Sequence, residues 1–536
     1  MSTVADLFAD HLAMVGINVV FGLPGGENLA LVGALGRRGI RFVLVRNESS
    51  AVYMAGVTAR LTGKPGVCLV TLGPGAANAM AGVAHAWLDR DPVLVMTADF
   101  PETVVGKHTH QVLDLAALFR PVTKVSIRLP TLSTGMQLRA ALMLTYDERP
   151  GPVHLSLIAS DADAKAGMTV PQREIFRAFF TAPEAVAAGA AVLREARRPL
   201  ILAGLGLEPE GPYAELRELA EGLNAPVVDT PKARGSLPAD HPLYGGTIGL
   251  MQSDPAYALL DDADCFIAVG FDVVELVRQW DYDKPLIWVA NWPNEDPVIP
   301  AAATLVGSIK DSLRQLIDTE CETEADWGAA RVARFRQDTA APARPEPPAG
   351  RLYPQQLLAV LHEALPAQTA IATDVGSHKI LTALSWPATT PNRYFVSNGL
   401  SAMGFGLPAA IAAALVLGEP TVCVTGDAGF AMVMGELALI QELDLPVLVV
   451  VMNDAALDLI RSKQQRRAEP VCGTEFSNPD FAAIAQAYGL PYYRVDSETA
   501  ARTALAAAVA TGRAALIEAL IDPSSYPTAP GQSGLP

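Results

Sequence analysis

The sequence is poor in positive charge. Its 40 Lys and Arg residues are outnumbered by 57 Asp and Glu residues, which gives a net charge of −17, and no long basic run is present. Proteins that bind nucleic acid or anionic membranes depend on clustered Lys and Arg side chains. The composition therefore argues against both kinds of partner.

Paired cysteines and long apolar runs are also lacking. The five cysteines are scattered, odd in number and without metal-binding spacing: Cys68, Cys265, Cys321, Cys423 and Cys472. Two of them, Cys68 and Cys423, fall inside apolar strand patterns, so we expect inert core thiols. The apolar segment 409–417 is too short to span a bilayer, and no basic N-terminal segment leads into an apolar run. We expect a soluble cytoplasmic protein.

Apolar runs typical of buried strands alternate with helical patterns in three blocks, residues 1–163, 184–330 and 352–523. Such alternation is typical of parallel sheets with helices on both faces. We therefore predict an α/β fold with three doubly wound parallel-sheet domains. Linkers are predicted near residues 164–184 and over 332–351, and the tail 523–536 is predicted to be disordered or draped over a neighbour.

The most informative motif lies in the third block. The apolar run 421–425 leads into Gly426-Asp427-Ala428-Gly429, and a second run, 446–452, leads into Asn453-Asp454. Two carboxylates 27 positions apart thus follow two predicted strands, at the sheet edge where open α/β folds bind ligands. Oxygen ligands beside the backbone N–H groups of a helix start suit Mg²⁺ carrying a diphosphate. The alternative is two ordinary strand-end carboxylates that cap helices or face solvent.

This motif resembles the signature of thiamine-diphosphate (ThDP) enzymes, which begins Gly-Asp-Gly and ends Asn-Asn. The intervening Glu436-Leu437 agrees with that signature, whereas Ala428 replaces its second glycine and Asp454 its second asparagine. Ala428 still offers a backbone N–H and Asp454 an oxygen, so the chemistry is retained while metal affinity would change. The resemblance implies that Mg²⁺ is held by Asp427, Asp454 and the carbonyl of Ala456.

In the first block, Glu48 follows the apolar run 42–46. The resemblance implies that its carboxylate hydrogen-bonds N1′ of the coenzyme and so promotes loss of the thiazolium C2 proton. The Gly73-Pro74-Gly75 turn follows at the distance usual in the family. The alternative is that Glu48 caps the helix after it.

The segment 397–410 resembles the part of the family that bends the coenzyme. Met403 would be the wedge that brings its two rings together, and the Ser401 carbonyl would accept from N4′. A plain core methionine is the alternative for Met403. The resemblance implies that the coenzyme-binding residues are Gly25, Thr71, Asn78, Gly376, Ser377, His378, Ser401, Met403, Gly426, Asp427, Ala428, Gly429, Asp454 and Leu459.

Several motifs bear on the substrate. Pro24-Gly25-Gly26 resembles acetolactate synthases and pyruvate oxidases, and Thr109-His110-Gln111 together with Val269-Gly270-Phe271-Asp272 resembles catabolic acetolactate synthases. Lys463 stands where anabolic acetolactate synthases have an acceptor-selecting tryptophan, and Thr71 stands where benzoylformate decarboxylases have a histidine. The residues expected to contact substrate are Gly26, His110, Gln111, Ile460 and Lys463.

The resemblance favours ThDP- and Mg²⁺-dependent decarboxylation of a pyruvate-like 2-keto acid, with ligation to a second aldehyde or ketone carbonyl. A 2-keto acid decarboxylase or aldehyde lyase without ligation is the main alternative, and a flavin oxidase and a non-catalytic paralogue are weaker ones. Gly204-Leu205-Gly206 follows an apolar run, but Pro209 stands where a dinucleotide fingerprint has its third glycine, so FAD is not favoured. A homodimer or homotetramer with active sites at the dimer interface is also implied.

Overall fold

A computed structural model describes residues 2–105, 107, 110–131, 133–166, 180–207, 211–295, 298–340 and 346–527. Thr109, Pro209, most of the first predicted linker, residues 341–345 of the second and most of the predicted tail lie outside the described residues. By its internal contacts the chain forms two units. The first comprises Met1–Arg177, Gly399–Gly418 and Val433–Leu445, and the second Ala178–Asn398, Glu419–Met432 and Pro446–Pro536.

The first unit contains a six-stranded sheet, counted over its described residues. Its strands are β1 (Val19–Leu23), β2 (Arg41–Leu44), β3 (Gly66–Val70), β4 (Val93–Asp99), β5 (Ser126–Arg128) and β6 (Val153–Ile158). All neighbours are parallel, in the order β2-β1-β3-β4-β6-β5. The chain leaves β1 toward β2 on one side and then returns to β3 on the other, which makes β1/β3 a topological switch point.

The second unit contains two further parallel sheets of six strands each, again over the residues described. The central sheet has β7 (Pro199–Ala203), β8 (Val227–Asp229), β9 (Tyr244–Thr247), β10 (Cys265–Val269), β11 (Leu286–Ala290) and β12 (Ala303–Val306). The C-terminal sheet has β13 (Ala370–Thr373), β14 (Tyr394–Val396), β15 (Thr421–Gly426), β16 (Val447–Asn453), β17 (Tyr492–Val495) and β18 (Ala515–Leu520). Their orders are β12-β11-β10-β7-β8-β9 and β14-β13-β15-β16-β18-β17. The predicted α/β class with three parallel-sheet domains is confirmed.

The helices are numbered along the whole chain. They are α1 (Val4–Met14), α2 (Leu29–Arg37), α3 (Glu48–Thr62), α4 (Pro74–Leu88), α5 (Leu115–Phe119), α6 (Thr134–Leu144), α7 (Pro183–Glu195), α8 (Tyr213–Gly222), α9 (Tyr257–Asp262), α10 (Ile309–Ile317), α11 (Ala329–Asp338), α12 (Pro354–Ala364), α13 (Ser377–Ser385), α14 (Gly406–Leu417), α15 (Asp427–Val433), α16 (Leu437–Glu442), α17 (Asp458–Arg466), α18 (Phe481–Ala487) and α19 (Glu498–Thr511). Among the described residues, no helix combines the length and apolar character needed to cross a bilayer.

Strand alternation explains the layers of the first unit. Val67 and Leu69 of β3 belong to one core with buried residues of α1, α2 and α6. Because successive side chains of a strand point to opposite faces, Cys68 between them faces the other side. The helices α3 and α4 pack on that side of the sheet. The cysteines predicted to be inert, Cys68 and Cys423, are buried free thiols.

The same alternation builds the central sheet. Ile201 and Ile267 join one core with α7, α8 and α10, whereas Leu202 and Phe266 join a second core with α9 and α11. In the C-terminal sheet, α12, α13 and α19 cover one face. The carboxyl ends of the strands lead into loops, and the loops of the first and the C-terminal sheet carry predicted site residues.

Candidate active site

Glu48 is the first residue of α3 and is only 7% exposed. Asn47, not Glu48, caps this helix, because the Asn47 side chain accepts a hydrogen bond from the Ser49 N–H at 2.9 Å. The alternative role for Glu48 as the cap is therefore wrong. Its carboxylate instead accepts from Nδ2 of Asn78 at 3.2 Å, which brings two of the predicted residues together.

The start of α3 is held by a second buried carboxylate. Glu436 is fully buried and accepts from the backbone N–H groups of Arg46, at 3.1 Å to both oxygens, and of Asn47 at 3.0 Å. Burial raises the pKa of Glu436, although these hydrogen bonds favour its charged form. The sequence motif included Glu436, but nothing in the motif indicated which backbone groups it binds.

Two more predicted residues meet at the β1/β3 switch point. A Cβ on Gly25 would lie 2.5 Å from Oγ1 of Thr71, so only glycine allows this approach. The Thr71 hydroxyl donates to Oε2 of Glu27 at 2.9 Å. Glu27 was not among the predicted residues, although a carboxylate just after a strand-end glycine turn is a signal that could have found it. The next glycine, Gly26, is exposed.

The loop after β4 packs on the turn before α4. Gln111 adopts a left-handed backbone with φ of 60°, and a Cβ on Gly73 would lie 2.9 Å from the Gln111 Cβ. His110 and Gln111 are both exposed. The structure therefore brings Gln111 to the Gly73-Pro74-Gly75 turn.

The loop that resembles the coenzyme-bending segment belongs to the first unit. Ser401 is exposed and has φ of 54°, an uncommon conformation for a residue with a side chain. Met403 is partly exposed and is absent from the buried core of the described residues, so its alternative role as a plain core methionine is not supported.

In the second unit, Asp427 lies at the end of β15, beside β13, where the C-terminal sheet has its switch point. Asp427 is 1% exposed, and its carboxylate accepts from the N–H groups of Ala428 at 2.9 Å and Ala455 at 2.8 Å, and from Nδ2 of Asn478 at 2.7 Å. Burial raises the pKa of Asp427. A buried carboxylate at this position calls for a compensating cation.

Asp454 lies in the loop after β16 and accepts from the Ala456 N–H at 3.2 Å. Burial, and then the charges of Asp427 and Asp458, raise the pKa of Asp454 to about 7. The guanidinium of Arg461 lies 3.9 Å from its carboxylate. Among the described residues, no cluster of three or more His, Cys, Asp or Glu side chains forms a complete metal site.

Asn478 is the residue of this site that sequence reasoning missed. Its Nδ2 donates to Asp427 and, at 3.0 Å, to Oδ1 of Asn453, while its own Oδ1 is buried without a hydrogen-bond partner among the described residues. An unpartnered buried oxygen beside a buried carboxylate is chemistry that a hard cation satisfies. The residues present therefore fit Mg²⁺. Only a contact across 51 positions reveals Asn478, which the local motif does not contain.

His378 is placed beside the same strand end. Its ring Nε2 accepts from the Gly426 N–H at 3.2 Å, and burial lowers the pKa of His378 to about 4, which leaves the ring neutral. A Cβ on Gly376 would lie 2.7 Å from this ring. The Ser377 hydroxyl donates to Oδ2 of Asp458 at 2.9 Å. His378 thus fixes the turn at Gly426.

A glycine is also required at position 429. A Cβ there would lie 2.4 Å from Oδ2 of Asp374, so the first turn of α15 approaches the end of β13 closely. The predicted residues Gly376, His378, Gly426 and Gly429 are therefore gathered around one strand-end turn.

The remaining predicted residues lie on α17. None of the nine residues of this helix, all of which the structure describes, is buried. Ile460 is 45% exposed, and Leu459 and Lys463 are partly exposed. The helix begins at Asp458, which pairs with Arg461 at 3.0 Å. These side chains are accessible, as a substrate-facing element requires.

The equivalent place in the central sheet is filled by the protein itself. The N–H of Leu205 donates to Oε2 of Glu275 at 2.9 Å, and that of Gly206 to the Gly270 carbonyl at 2.7 Å. A Cβ on Gly206 would lie 2.2 Å from the ring of Trp292. The backbone donors that a dinucleotide phosphate would need are thus already used. Burial raises the pKa of Glu275 to about 8.

Comparison with known proteins places this geometry in a family. Three domain signatures match: "Thiamine pyrophosphate enzyme, N-terminal TPP binding domain" over residues 2–118, the corresponding central domain over 186–316, and the C-terminal TPP binding domain over 374–519. The chain belongs to the thiamine pyrophosphate enzyme family. It is therefore an enzyme of the ThDP-dependent lyase or transferase type.

Curated relatives cover most of the chain. A probable acetolactate synthase large subunit of Methanocaldococcus jannaschii is 30% identical, over 97% of this chain and 92% of the relative. Acetolactate synthase isozyme 3 large subunit of Escherichia coli is 31% identical over 90% and 88%. The acetolactate synthase of Bacillus subtilis is 29% identical over 92% and 88%.

Proposed function

We propose that this enzyme is an acetolactate synthase-like carboligase that uses ThDP and Mg²⁺. It decarboxylates a pyruvate-like 2-keto acid and joins the remaining fragment to a second carbonyl. The similarity to acetolactate synthases over nearly the whole chain supports this reaction. The observation that carries the proposal is the pair of buried carboxylates, Glu48 and Asp427, at the strand ends of two domains with ThDP signatures.

When bound, ThDP supplies a carbon nucleophile and an electron sink for decarboxylation. Mg²⁺ would be held by Asp427, Asp454 and the Ala456 carbonyl, with Asn478 orienting Asp427. Of the two neighbouring residues proposed to bind the diphosphate, Gly429 would offer its backbone N–H, whereas the Ala428 N–H donates to Asp427. The Glu48 carboxylate would accept a charge-assisted hydrogen bond from a ring nitrogen of the coenzyme. Asn78 would fix the orientation of that carboxylate.

The overall reaction balances without an oxidant. With pyruvate as both donor and acceptor, two pyruvate anions and one proton give one acetolactate anion and one CO₂. The bond between the keto and carboxyl carbons of the donor breaks, one carbon–carbon bond to the acceptor carbonyl forms, and the proton ends on the new hydroxyl. The enzyme must therefore exclude protons from the reacting carbon until the acceptor arrives.

A second candidate is a 2-keto acid decarboxylase or aldehyde lyase, in which a proton replaces the acceptor. Lys463 bears on the choice of acceptor, because this partly exposed side chain stands where anabolic acetolactate synthases have an acceptor-selecting tryptophan. We further propose a cytoplasmic homodimer or homotetramer, the arrangement that the family resemblance implies.

A panel of 2-keto acids and aldehydes, assayed with ThDP and Mg²⁺, tests the proposal. Acetolactate from pyruvate, or a ligated product from another pair, is the expected result, whereas free aldehyde alone would favour the second candidate. Glu48→Gln should lower turnover by roughly 10²–10⁴-fold while ThDP still binds. Glu102→Gln is the matched control, because that carboxylate is 89% exposed and pairs only loosely with Arg128 at 3.4 Å. Equal activity of the two variants would remove Glu48 from its role.

A further inference from the structure

A buried ionic cluster lies at the end of α4, outside the residues assigned above. His85 is 1% exposed, and its Nδ1 lies 3.0 Å from Oδ2 of Asp89, while its Nε2 lies 3.2 Å from Oδ2 of Asp91. Both carboxylates are themselves buried. A histidine with a carboxylate at each ring nitrogen donates through both nitrogens and is therefore protonated. Although burial opposes the charge, Asp89 and then Asp91 raise the pKa of His85 to about 9.

This cluster is bonded to the loop that carries Ser401 and Met403. The oxygen of Asp89 that meets His85 also accepts the backbone N–H of Leu400 at 3.4 Å. Leu400 directly precedes Ser401, whose φ of 54° needs support from its surroundings. One carboxylate oxygen thus links the imidazolium to the backbone of the loop.

Two further contacts fasten the same loop. A Cβ on Gly399 would lie 2.6 Å from the Leu88 carbonyl oxygen, so the loop begins in direct backbone contact with the end of α4. At the other end of the loop lies Phe405. Its ring centroid is 4.9 Å from that of His85 and 5.6 Å from that of Tyr53. His85 therefore supports both ends of the loop, through Asp89 at one and through Phe405 at the other.

We propose that the buried His85–Asp89 pair is a positioning device for residues 399–405, which holds Ser401 and Met403 in the geometry that bends the coenzyme. This inference rests on the proposed ThDP function. Its physical basis is that an ion pair buried on both sides resists displacement, because breaking it leaves an uncompensated charge in a dry site. A loop anchored in this way keeps Ser401 in its left-handed conformation before the coenzyme binds. The free energy needed to orient the loop during binding is therefore lower.

Asp89→Asn and Asp91→Asn form a matched pair of variants. Each removes one charge beside the same imidazole, and Asp89 is the one whose carboxylate accepts the Leu400 N–H. Hydrogen exchange followed by mass spectrometry on the protein without coenzyme should show peptides that span residues 399–405 exchanging about tenfold faster or more in Asp89→Asn than in wild type. The same peptides should be unchanged in Asp91→Asn. The proposal would be overturned if hydrogen exchange of these peptides were accelerated equally in both variants, or if it were accelerated in neither.

A second measurement uses the coenzyme without substrate. In Asp89→Asn and His85→Gln, the exchange rate of the ThDP C2 proton, followed by NMR after acid quench, should fall by roughly 10–100-fold. The dissociation constant of ThDP should stay within about threefold of wild type, because the diphosphate contacts lie elsewhere. A lower affinity with an unchanged exchange rate would contradict a positioning role.

The two failures can be told apart. If the wild-type protein does not bind ThDP, the proposed function fails, while the loop-exchange result still decides whether His85 and Asp89 hold the loop. If ThDP binds and its C2 proton exchanges normally in Asp89→Asn, the positioning role fails and the proposed function stands. Should His85→Gln not fold, Asp89→Asn carries the test, because it preserves size and burial.

Discussion

The buried carboxylate of Glu436 holds the backbone N–H of Arg46 at 3.1 Å from both of its oxygens. Together with the bond to Asn47, this fixes the two residues that directly precede Glu48. Glu436 therefore acts on the proposed chemistry through the position of Glu48, without any need to touch the coenzyme itself.

Exchange of this carboxylate for an amide should affect both stability and turnover. In Glu436→Gln, the Arg46 N–H, which lies 3.1 Å from both oxygens, would face an NH₂ group in place of one of them, and the buried charge would be lost. We therefore expect a loss of roughly 1.5–3 kcal/mol in unfolding free energy and a lower kcat with little change in KM. Denaturant unfolding and steady-state kinetics measure these effects. Glu442→Gln is the control, because that exposed carboxylate pairs with the Arg46 side chain and should cost less than about 1 kcal/mol. Equal effects in the two variants would count against the role of Glu436.

The metal site predicts a graded response to substitution. Asp427→Ala should weaken Mg²⁺-dependent binding of ThDP by more than about 100-fold, since it removes a ligand, and Asn478→Ala by roughly 10–100-fold, since it removes the group that orients Asp427. Coenzyme titrations at fixed Mg²⁺ concentrations, read by calorimetry, measure both. Asp480→Asn, at the N-cap of α18, should leave the titration unchanged. An Asp427→Ala variant with wild-type Mg²⁺ dependence would contradict the ligand assignment.

His85 predicts a pH dependence of stability with a definite sign. The charged groups that face it are Asp89 and Asp91, and the Tyr53 and Phe405 rings cover it. Since its pKa is about 9 in the folded protein against about 6.5 when unfolded, the folded state binds the proton more tightly. About 3 kcal/mol of stability, complete below pH 6.5, should be lost as the pH rises through about 9.

Unfolding free energies measured between pH 6 and pH 10 test this dependence. His85→Gln should flatten the curve in that range relative to wild type. His154→Gln should not, because burial lowers the pKa of His154 to about 3 and so confines its contribution to more acidic solution. Parallel curves for wild type and His85→Gln would show that His85 is not charged in the folded protein.

The central domain predicts a protein without bound flavin. The backbone N–H groups of Leu205 and Gly206 are satisfied by Glu275 and Gly270, and Trp292 packs against Gly206. A bound dinucleotide would have to break these hydrogen bonds. Each buried group left without a partner would cost about 1–3 kcal/mol of binding free energy. Absorbance spectra of the purified protein, before and after incubation with FAD and gel filtration, check this expectation. A stoichiometric yellow species would contradict it.

The sequence was informative wherever function depends on local pattern. Strand-end positions such as Asp427 and Glu48 follow apolar runs, and the structure places both directly after strands or at the start of the next helix. The short edge strand β5 was not predicted, because its three residues, Ser126–Arg128, have no apolar run and none is buried. Its partner β6 supplies the hydrogen bonds that a sequence pattern does not display.

Contacts between distant residues could not be predicted from one sequence. Glu436 and Arg46 are separated by 390 positions, and Leu400 and Asp89 by 311. Nothing in the local composition around either partner distinguishes such a bond from an ordinary surface carboxylate. The helix cap is different, since Asn47 is a preferred N-cap residue type and Glu48 is not, and the structure places the cap at Asn47.

The exposure of α17 has a consequence for protein engineering. A helix that contributes no side chain to the interior can be rewritten at many positions without leaving cavities or unpaired polar groups behind. A library confined to Leu459, Ile460 and Lys463 should therefore yield mostly folded variants, and new donor–acceptor combinations can be sought there without first stabilising the scaffold.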